Sequence, residues 1–124
     1  MAVKKRAFSL IEISIAIVLI SLIVSGTLGV FSQGFSYLKK YRERTVAYNL
    51  GREVMERYFT WPLPADGTHS NPAPYYPVTL NNVTYNVNLT ISPDPVYPTA
   101  MKQISVVISW GTQSYTLVSL KANY

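Results

Sequence analysis

Residues 4–26, KKRAFSLIEISIAIVLISLIVSG, decide the fold of the N-terminal half of this 124-residue chain. Three basic residues and a small residue precede a long apolar run, and one carboxylate, Glu12, stands near the start of that run. Residues 13–38 contain no charge, and these roughly 26 positions would rise about 39 Å as a helix. A hydrocarbon core is about 30 Å thick, so the segment is long enough to span a membrane.

The helix is expected to continue beyond the apolar segment. Residues 39–60 contain no proline, and Pro62 and Pro64 then end the helix. Glu53 and Arg57 form a favourable i,i+4 pair on its polar side. Apolar residues recur at three- and four-residue steps on one face, at Ala47, Leu50, Val54, Tyr58 and Trp61. The pattern predicts one helix of about 50 residues, apolar all round in its first half and amphipathic in its second.

After the helix, the sequence indicates a loop followed by strands. Residues 62–77, PLPADGTHSNPAPYYP, contain five prolines and several turn formers. Apolar and polar residues then alternate in VTYNVNLTI, residues 83–91, as in a half-buried strand. Asn81-Asn82 is expected to turn a short hairpin from residues 78–80. Two more strands are predicted within residues 103–110 and 115–120, joined by a turn at residues 111–113.

Three or four antiparallel strands with one apolar face need a cover, and the apolar stripe on the helix is the candidate. The predicted class is therefore α+β, a long N-terminal helix packed on a small antiparallel sheet. The expected divisions are a leader at residues 1–7, a helix at 8–61 that spans the membrane at about 13–38, and a sheet domain at 62–124.

Composition excludes several kinds of chemistry. The formal charge is +5, but removal of residues 1–7 leaves eight basic and six acidic side chains, which argues against a protein built to coat nucleic acid. The chain has no cysteine, so disulfides, thiolate zinc sites and thiol nucleophiles are excluded. His69 and Asp66 with Asp94 suggest neither a catalytic set nor a calcium site. No catalytic residue, metal site or cofactor is predicted.

The head of the chain resembles the type IV prepilin signature of pilins and of the pseudopilins of type II secretion. The resemblance is carried by the basic leader, Ala7, the stretch Phe8-Ser9-Leu10-Ile11-Glu12 and the apolar helix, roughly residues 4–31. Members of that family usually have glycine where this chain has Ala7.

The resemblance implies a processing route and a set of partners. Prepilin peptidase would cut between Ala7 and Phe8 and methylate the new N-terminus at Phe8. Glu12 would be the assembly residue, paired with the N-terminal amine of a neighbouring subunit. Implied partners are other pilin or pseudopilin subunits, bound through the helix, an inner-membrane assembly platform and membrane lipids. The chain would cross the inner membrane once, with its C-terminal domain outside the cytoplasm, and then enter a periplasmic or extracellular filament.

The second half resembles I-type minor pseudopilins and V-type minor pilins. The residues that carry this likeness are Leu50, Gly51, Glu53, Met55, Glu56, Ser109, Trp110 and Tyr115. In that family such subunits are scarce, lie at or near the filament tip and help to start assembly. Met55 and Trp110 are also ordinary core residues, so burial alone accounts for part of the pattern.

Several alternatives remain open from the sequence. Lys39, Lys40, Arg42 and Arg44 would bind DNA in a DNA-uptake pilus, although lipid headgroups are the preferred contact for such a cluster. These charges outweigh the leader's and oppose the positive-inside rule, so the outside placement of the sheet domain depends on the resemblance. A membrane-tethered sheet domain that does not polymerise could hold a ligand on exposed aromatics at Tyr75, Tyr76 and Tyr97. An ordinary secretory signal cut near Ser25-Gly26, or a plain anchor, would have no use for Glu12.

Overall fold

A single long helix occupies the N-terminal half of the computed structural model, which describes residues 7–73 and 76–123. Helix α1 runs without interruption over Leu10–Thr60, 51 residues, and the prolines at 62 and 64 follow its end. The chain divides into two compact units, residues 1–41 and 42–124. The predicted continuous helix is confirmed, and the glycines at 26, 29 and 34 do not break it.

The first unit presents apolar side chains on all sides of α1. Its leucine, isoleucine, valine and phenylalanine side chains are exposed throughout. Three hydroxyls that interrupt the apolar run find acceptors within the helix. Ser14, Ser21 and Thr27 each donate a hydrogen bond to the backbone carbonyl four residues earlier, at 2.7–3.0 Å. By length and composition alone, α1 is suited to cross a membrane. A helix that is apolar all round is typical of such a segment.

The second unit contains an antiparallel sheet of five strands. The strands are β1 (Gly67–Ser70), β2 (Val78–Leu80), β3 (Val83–Pro93), β4 (Met101–Trp110) and β5 (Gln113–Ala122). The order is β1-β3-β4-β5, and β2 also pairs with β3. Two-residue turns join β2 to β3 at Asn81-Asn82 and β4 to β5 at Gly111-Thr112. Both asparagines and Gly111 have positive φ, as tight hairpin turns of this kind require.

The C-terminal part of α1 covers one face of the sheet. Ala47, Leu50, Val54 and Met55 are buried against the inward residues of β3 and β4, which alternate along both strands as predicted. Gly51 faces the sheet, and an added Cβ would lie at ordinary contact distance, 3.5 Å from Ile108 Cγ1 and 3.6 Å from Tyr115 Cε1. The helix thus lies against β4 and β5 at this position. The α+β class and the helix-on-sheet packing are confirmed.

Two expectations about how the second unit packs were wrong, the number of strands and the burial of Trp61. The sheet has five strands because Gly67–Ser70, placed in the loop at residues 62–77, forms β1 along the outer edge of β3. This strand is short and mostly exposed, so it lacks the apolar alternation that identifies a strand in a sequence. Trp61 lies beyond the helix end and is 46% exposed; its ring stacks with the Arg57 guanidinium instead of joining the core. The predicted pair Glu53–Arg57 is present, at 3.0 Å.

The loop between β3 and β4 is held by one buried carboxylate. Asp94 Oδ1 accepts hydrogen bonds from the backbone N–H groups of Val96 and Tyr97, at 2.9 and 2.7 Å. We expect Asp94→Ala to lower the free energy of unfolding by about 1–3 kcal/mol, because two part-buried hydrogen bonds from backbone N–H groups lose their acceptor. Chemical unfolding of the full chain in detergent measures the change. Exposed Asp66→Ala is the control and should cost no more than about 1 kcal/mol.

A lysine of β5 closes the C-terminal end of α1. Lys121 Nζ donates to the carbonyl oxygens of Tyr58 and Trp61, at 3.0 and 2.9 Å, and so satisfies two acceptors that a helix end leaves open. Lys121→Met keeps the side-chain length and should destabilise the protein by about 1.5–3 kcal/mol.

Lys102→Met is the matched control for this prediction, because Lys102 pairs with Lys121 across the sheet but only forms a partly exposed ion pair with Asp66. It should cost about 0–1 kcal/mol. Thermal unfolding of both variants in the same detergent compares them, and equal losses would contradict a specific role of Lys121 at the helix end.

Candidate assembly site and processing segment

Glu12 lies in the first turn of α1 with its side chain exposed among apolar neighbours. The helix start is formed around the Ser9 carbonyl, which accepts from the backbone N–H groups of Glu12 and Ile13 at 3.0 and 3.2 Å. A carboxylate near a helix N-terminus is favoured by the helix dipole. Within residues 7–73 and 76–123, no cation pairs with Glu12.

The predicted cleavage segment lies just before the helix. Ala7 and Phe8 are exposed and non-helical, and α1 begins two residues after Phe8. The two residues of the predicted cleavage site are therefore accessible to solvent. The leader charges at Lys4, Lys5 and Arg6 fall outside the described residues.

All four basic residues after the apolar segment are exposed on α1. Lys39 and Lys40 belong to the first unit, and Arg42 and Arg44 belong to the second. None of the four forms an ion pair with a carboxylate of the described residues, since the ion pairs within α1 lie at residues 52–57. The tyrosines beside them, Tyr37 and Tyr41, are exposed as well. Exposed basic side chains with tyrosines beside them fit a polyanionic surface. Lipid headgroups and nucleic acid are both surfaces of this kind.

The aromatic residues considered for a tethered ligand-binding domain do not form an exposed set. Tyr76 is only 8% exposed and belongs to the core, so the expectation that it is exposed was wrong. Tyr97 is exposed at the tip of the β3–β4 loop, and Tyr75 lies outside the described residues. The exposed aromatics of that alternative are therefore reduced to Tyr97 among the residues described.

The polar residues considered for catalysis or calcium have structural partners. The His69 ring donates from Nε2 to the Ala65 carbonyl at 2.8 Å, Asp66 pairs with Lys102 at 2.6 Å, and Asp94 caps the β3–β4 loop. Across the described part of the chain, no three histidine, cysteine or acidic side chains gather where they could hold a metal ion.

One comparison with known proteins gives a match. Residues 3–28 match the family model described as the prokaryotic N-terminal methylation motif. No curated protein and no solved structure matches the chain. The motif belongs to structural subunits rather than enzymes, and it implies processing by prepilin peptidase and assembly with other pilin subunits. With the apolar helix, it indicates membrane anchoring with the C-terminal domain outside. Residues 3–28 thus carry the type IV pilin signal, which together with the long helix and antiparallel sheet supports a type IV pilin-like or pseudopilin subunit.

Proposed function

We propose that this chain is a minor pilin or pseudopilin of a type IV pilus or a type II secretion pseudopilus. In this proposal, prepilin peptidase cuts between Ala7 and Phe8 and methylates Phe8, and Glu12 brings the subunit into the filament. The inner-membrane assembly platform then draws the apolar helix out of the lipid. The observation that carries the proposal is Glu12, an exposed carboxylate in the first turn of an otherwise apolar helix.

The energetics of Glu12 favour a partner from another subunit. A carboxylate at the bilayer centre costs about 2.5–3.5 kcal/mol on insertion scales, so such a residue usually has a partner or a function. Glu12 lies near the start of the helix, so the free-energy cost of keeping its carboxylate in the membrane before assembly is smaller. In a filament core it needs a cation, and cleavage before Phe8 creates a new amine near the helix start. A subunit that has not been cut lacks that amine, so the pairing selects processed subunits.

The minor-subunit assignment depends on the likeness of the second half to I-type and V-type proteins. Part of the set of residues that carries this likeness lies where the helix meets the sheet: Gly51 faces Tyr115, and Met55 is buried in the core. Glu53 and Glu56 are exposed and pair with arginines of the helix. Tyr115 also packs edge-on against Tyr48 of the helix, with ring centroids 5.7 Å apart. These contacts of Tyr115 with the helix support the likeness.

Comparison of hosts with and without prepilin peptidase tests the proposal. In the peptidase-positive host, the full-length chain should be shortened by the leader and should appear in the sheared or detergent-resistant filament fraction. In the peptidase-negative host, it should stay at full length in the membrane fraction. Equal distribution of the chain in the two hosts would contradict the proposal and favour a tether that does not polymerise.

A further inference from the structure

The two edges of the sheet differ in how well they are protected against pairing with another strand. On one side, β1 and β2 lie end to end along β3 and have only four and three residues. Short, interrupted edge strands of this kind discourage further pairing. On the other side, β5 is a single strand of ten residues, and among the described residues it pairs with β4 alone. This strand has no proline, no bulge in its register with β4 and no charge before Lys121, so it lacks the usual protection of an edge.

Alternate residues of β5 direct their backbone groups away from the sheet. A two-residue turn closes on a hydrogen-bonded pair, here Trp110 with Gln113, and such pairs recur at every second residue of an antiparallel ladder. The backbone N–H and C=O groups of residues 113, 115, 117, 119 and 121 therefore face β4. The groups of the residues between them face outward and form the β5 edge, which consists of Ser114, Thr116, Val118 and Leu120. All four residues are exposed, so no described segment covers this edge.

The side chains at the β5 edge suit an apolar neighbour. They lie on the face of the sheet opposite to α1, because the intervening Tyr115 faces the helix. Val118 is 51% exposed and Leu120 is 47% exposed. In an added strand, the residues opposite them would have Cβ atoms about 4.5–5.5 Å away on the same face. Residues 103–120 carry no charge, so the edge offers no partner to a charged segment.

A second copy of β5 does not fit this edge in a filament. Strand β5 runs in the same direction as the helix residues that cover it, because Tyr115 packs on Tyr48, and Lys121 bonds to the carbonyls of Tyr58 and Trp61. Antiparallel pairing of two β5 strands would set residues 48–61 of the two helices in opposite directions. Subunits of a helical filament repeat in one orientation, so this pairing is excluded under the proposed function.

We propose that the β5 edge is a docking site for an extended segment of another protein, which adds to the sheet as a further strand. The segment is uncharged and has apolar side chains at alternate positions. Main-chain hydrogen bonds to the β5 edge supply the affinity, and packing on Val118 and Leu120 supplies the selectivity, as in other cases of strand addition. The proposal deepens the proposed function by naming a class of partner, and it rests on that function where it excludes a second copy.

Photo-cross-linking of the full chain in host membranes tests this proposal. The photo-reactive residue p-benzoylphenylalanine replaces Thr116 at the β5 edge or, as the matched control, Ser70 at the opposite edge. The two positions lie in one row across the sheet, through Asn88 and Val107, and both are exposed. Light should link the Thr116 variant to a protein other than this chain at least about fivefold more than the Ser70 variant.

Mass spectrometry of the linked product identifies what occupies the edge. The link should map to an uncharged segment with apolar residues at alternate positions. A product no more abundant than that of the Ser70 control, a product that contains only a second copy of this chain, or a link to a helical or charged segment would overturn the proposal.

A proline variant shows whether the backbone carries the contact. The N–H of Val118 faces outward, so Val118→Pro leaves the ladder with β4 intact but closes the edge. Added to the Thr116 variant, it should lower the yield of product at least about tenfold, as loss of even one hydrogen bond implies. Val118→Thr keeps the N–H and the branched shape and should retain more product than Val118→Pro. Equal yields from these two variants would refute a backbone contact.

A further variant leaves the backbone unchanged, in case the proline variant does not fold. Val118→Lys places a charge beside the edge and should also reduce the product; an undiminished yield would overturn the proposal. The same membranes are assayed for removal of the leader and entry into filaments. A processed, assembled chain without the product refutes the docking site alone, and a product of uncut chain supports the docking site but refutes the proposed function.

Discussion

Glu12→Ala is expected to leave the chain inserted in the membrane and cut by prepilin peptidase, but to reduce its entry into filaments at least about tenfold. In a filament core, loss of one partner of a buried charge pair strands the other, at a cost of about 3–5 kcal/mol. That cost falls on assembly and not on insertion, because a membrane helix is easier to insert without the charge. The ratio of filament-bound to membrane-bound chain, measured by immunoblot after fractionation, checks the result.

Two control variants make the Glu12 result specific. Glu12→Gln keeps the shape and removes the charge, so it should show the same loss as Glu12→Ala. Ser14→Ala removes a nearby hydroxyl that only bonds to the Leu10 carbonyl of its own helix, and it should assemble normally. Normal assembly of Glu12→Gln would show that the charge is not what the filament uses.

Leu89→Ala should cause the largest loss of stability, about 2–5 kcal/mol, because Leu89 lies fully buried on β3 at the centre of the core. A loss of this size approaches the whole stability of a small domain, so the variant should be present in low amounts and be degraded by proteases. Chemical unfolding in detergent, followed by tryptophan fluorescence, measures the change in the free energy of unfolding.

Leu120→Ala is the matched control for Leu89→Ala. Leu120 has the same side chain, lies on β5 at the edge of the same sheet and is 47% exposed, so its truncation should cost no more than about 0.5 kcal/mol. Comparable losses for the two leucines would mean that the face of the sheet assigned to the core is wrong.

The sequence predicted the fold well wherever a periodic pattern coincided with burial. Residues 83–91 alternate strictly in sequence, and in β3 the inward side chains of that alternation are buried. The stripe on α1 likewise identified Ala47, Leu50 and Val54 as residues of the core. The pattern failed for β1, a short polar strand that exists because β3 has a free edge to pair with. It also failed for Trp61 and Tyr76, whose exposure depends on where the helix ends and how the following loop packs.

The processing motif is local in sequence, so its residue types and their spacing are sufficient to recognise it, and the family model independently matches residues 3–28. Cleavage after Ala7, methylation of Phe8 and the pairing of Glu12 stay predictions. An open groove lined in part by Glu43, Asn82 and Trp110 could not be predicted, because these residues are far apart in sequence and come together only when α1 lies on the sheet. The buried indole N–H of Trp110, which has no acceptor among the described residues, likewise results from packing, and no sequence pattern indicates it.

The N-terminus and mass of the chain purified from its own host membranes test the central claim most directly. The account predicts a chain that begins at Phe8 with a methylated amine, and therefore lacks residues 1–7. A chain that begins at Met1 in a host with active prepilin peptidase would contradict the account and favour a membrane tether. A chain that begins near Thr27 would contradict it equally, because it would identify residues 1–26 as a secretory signal.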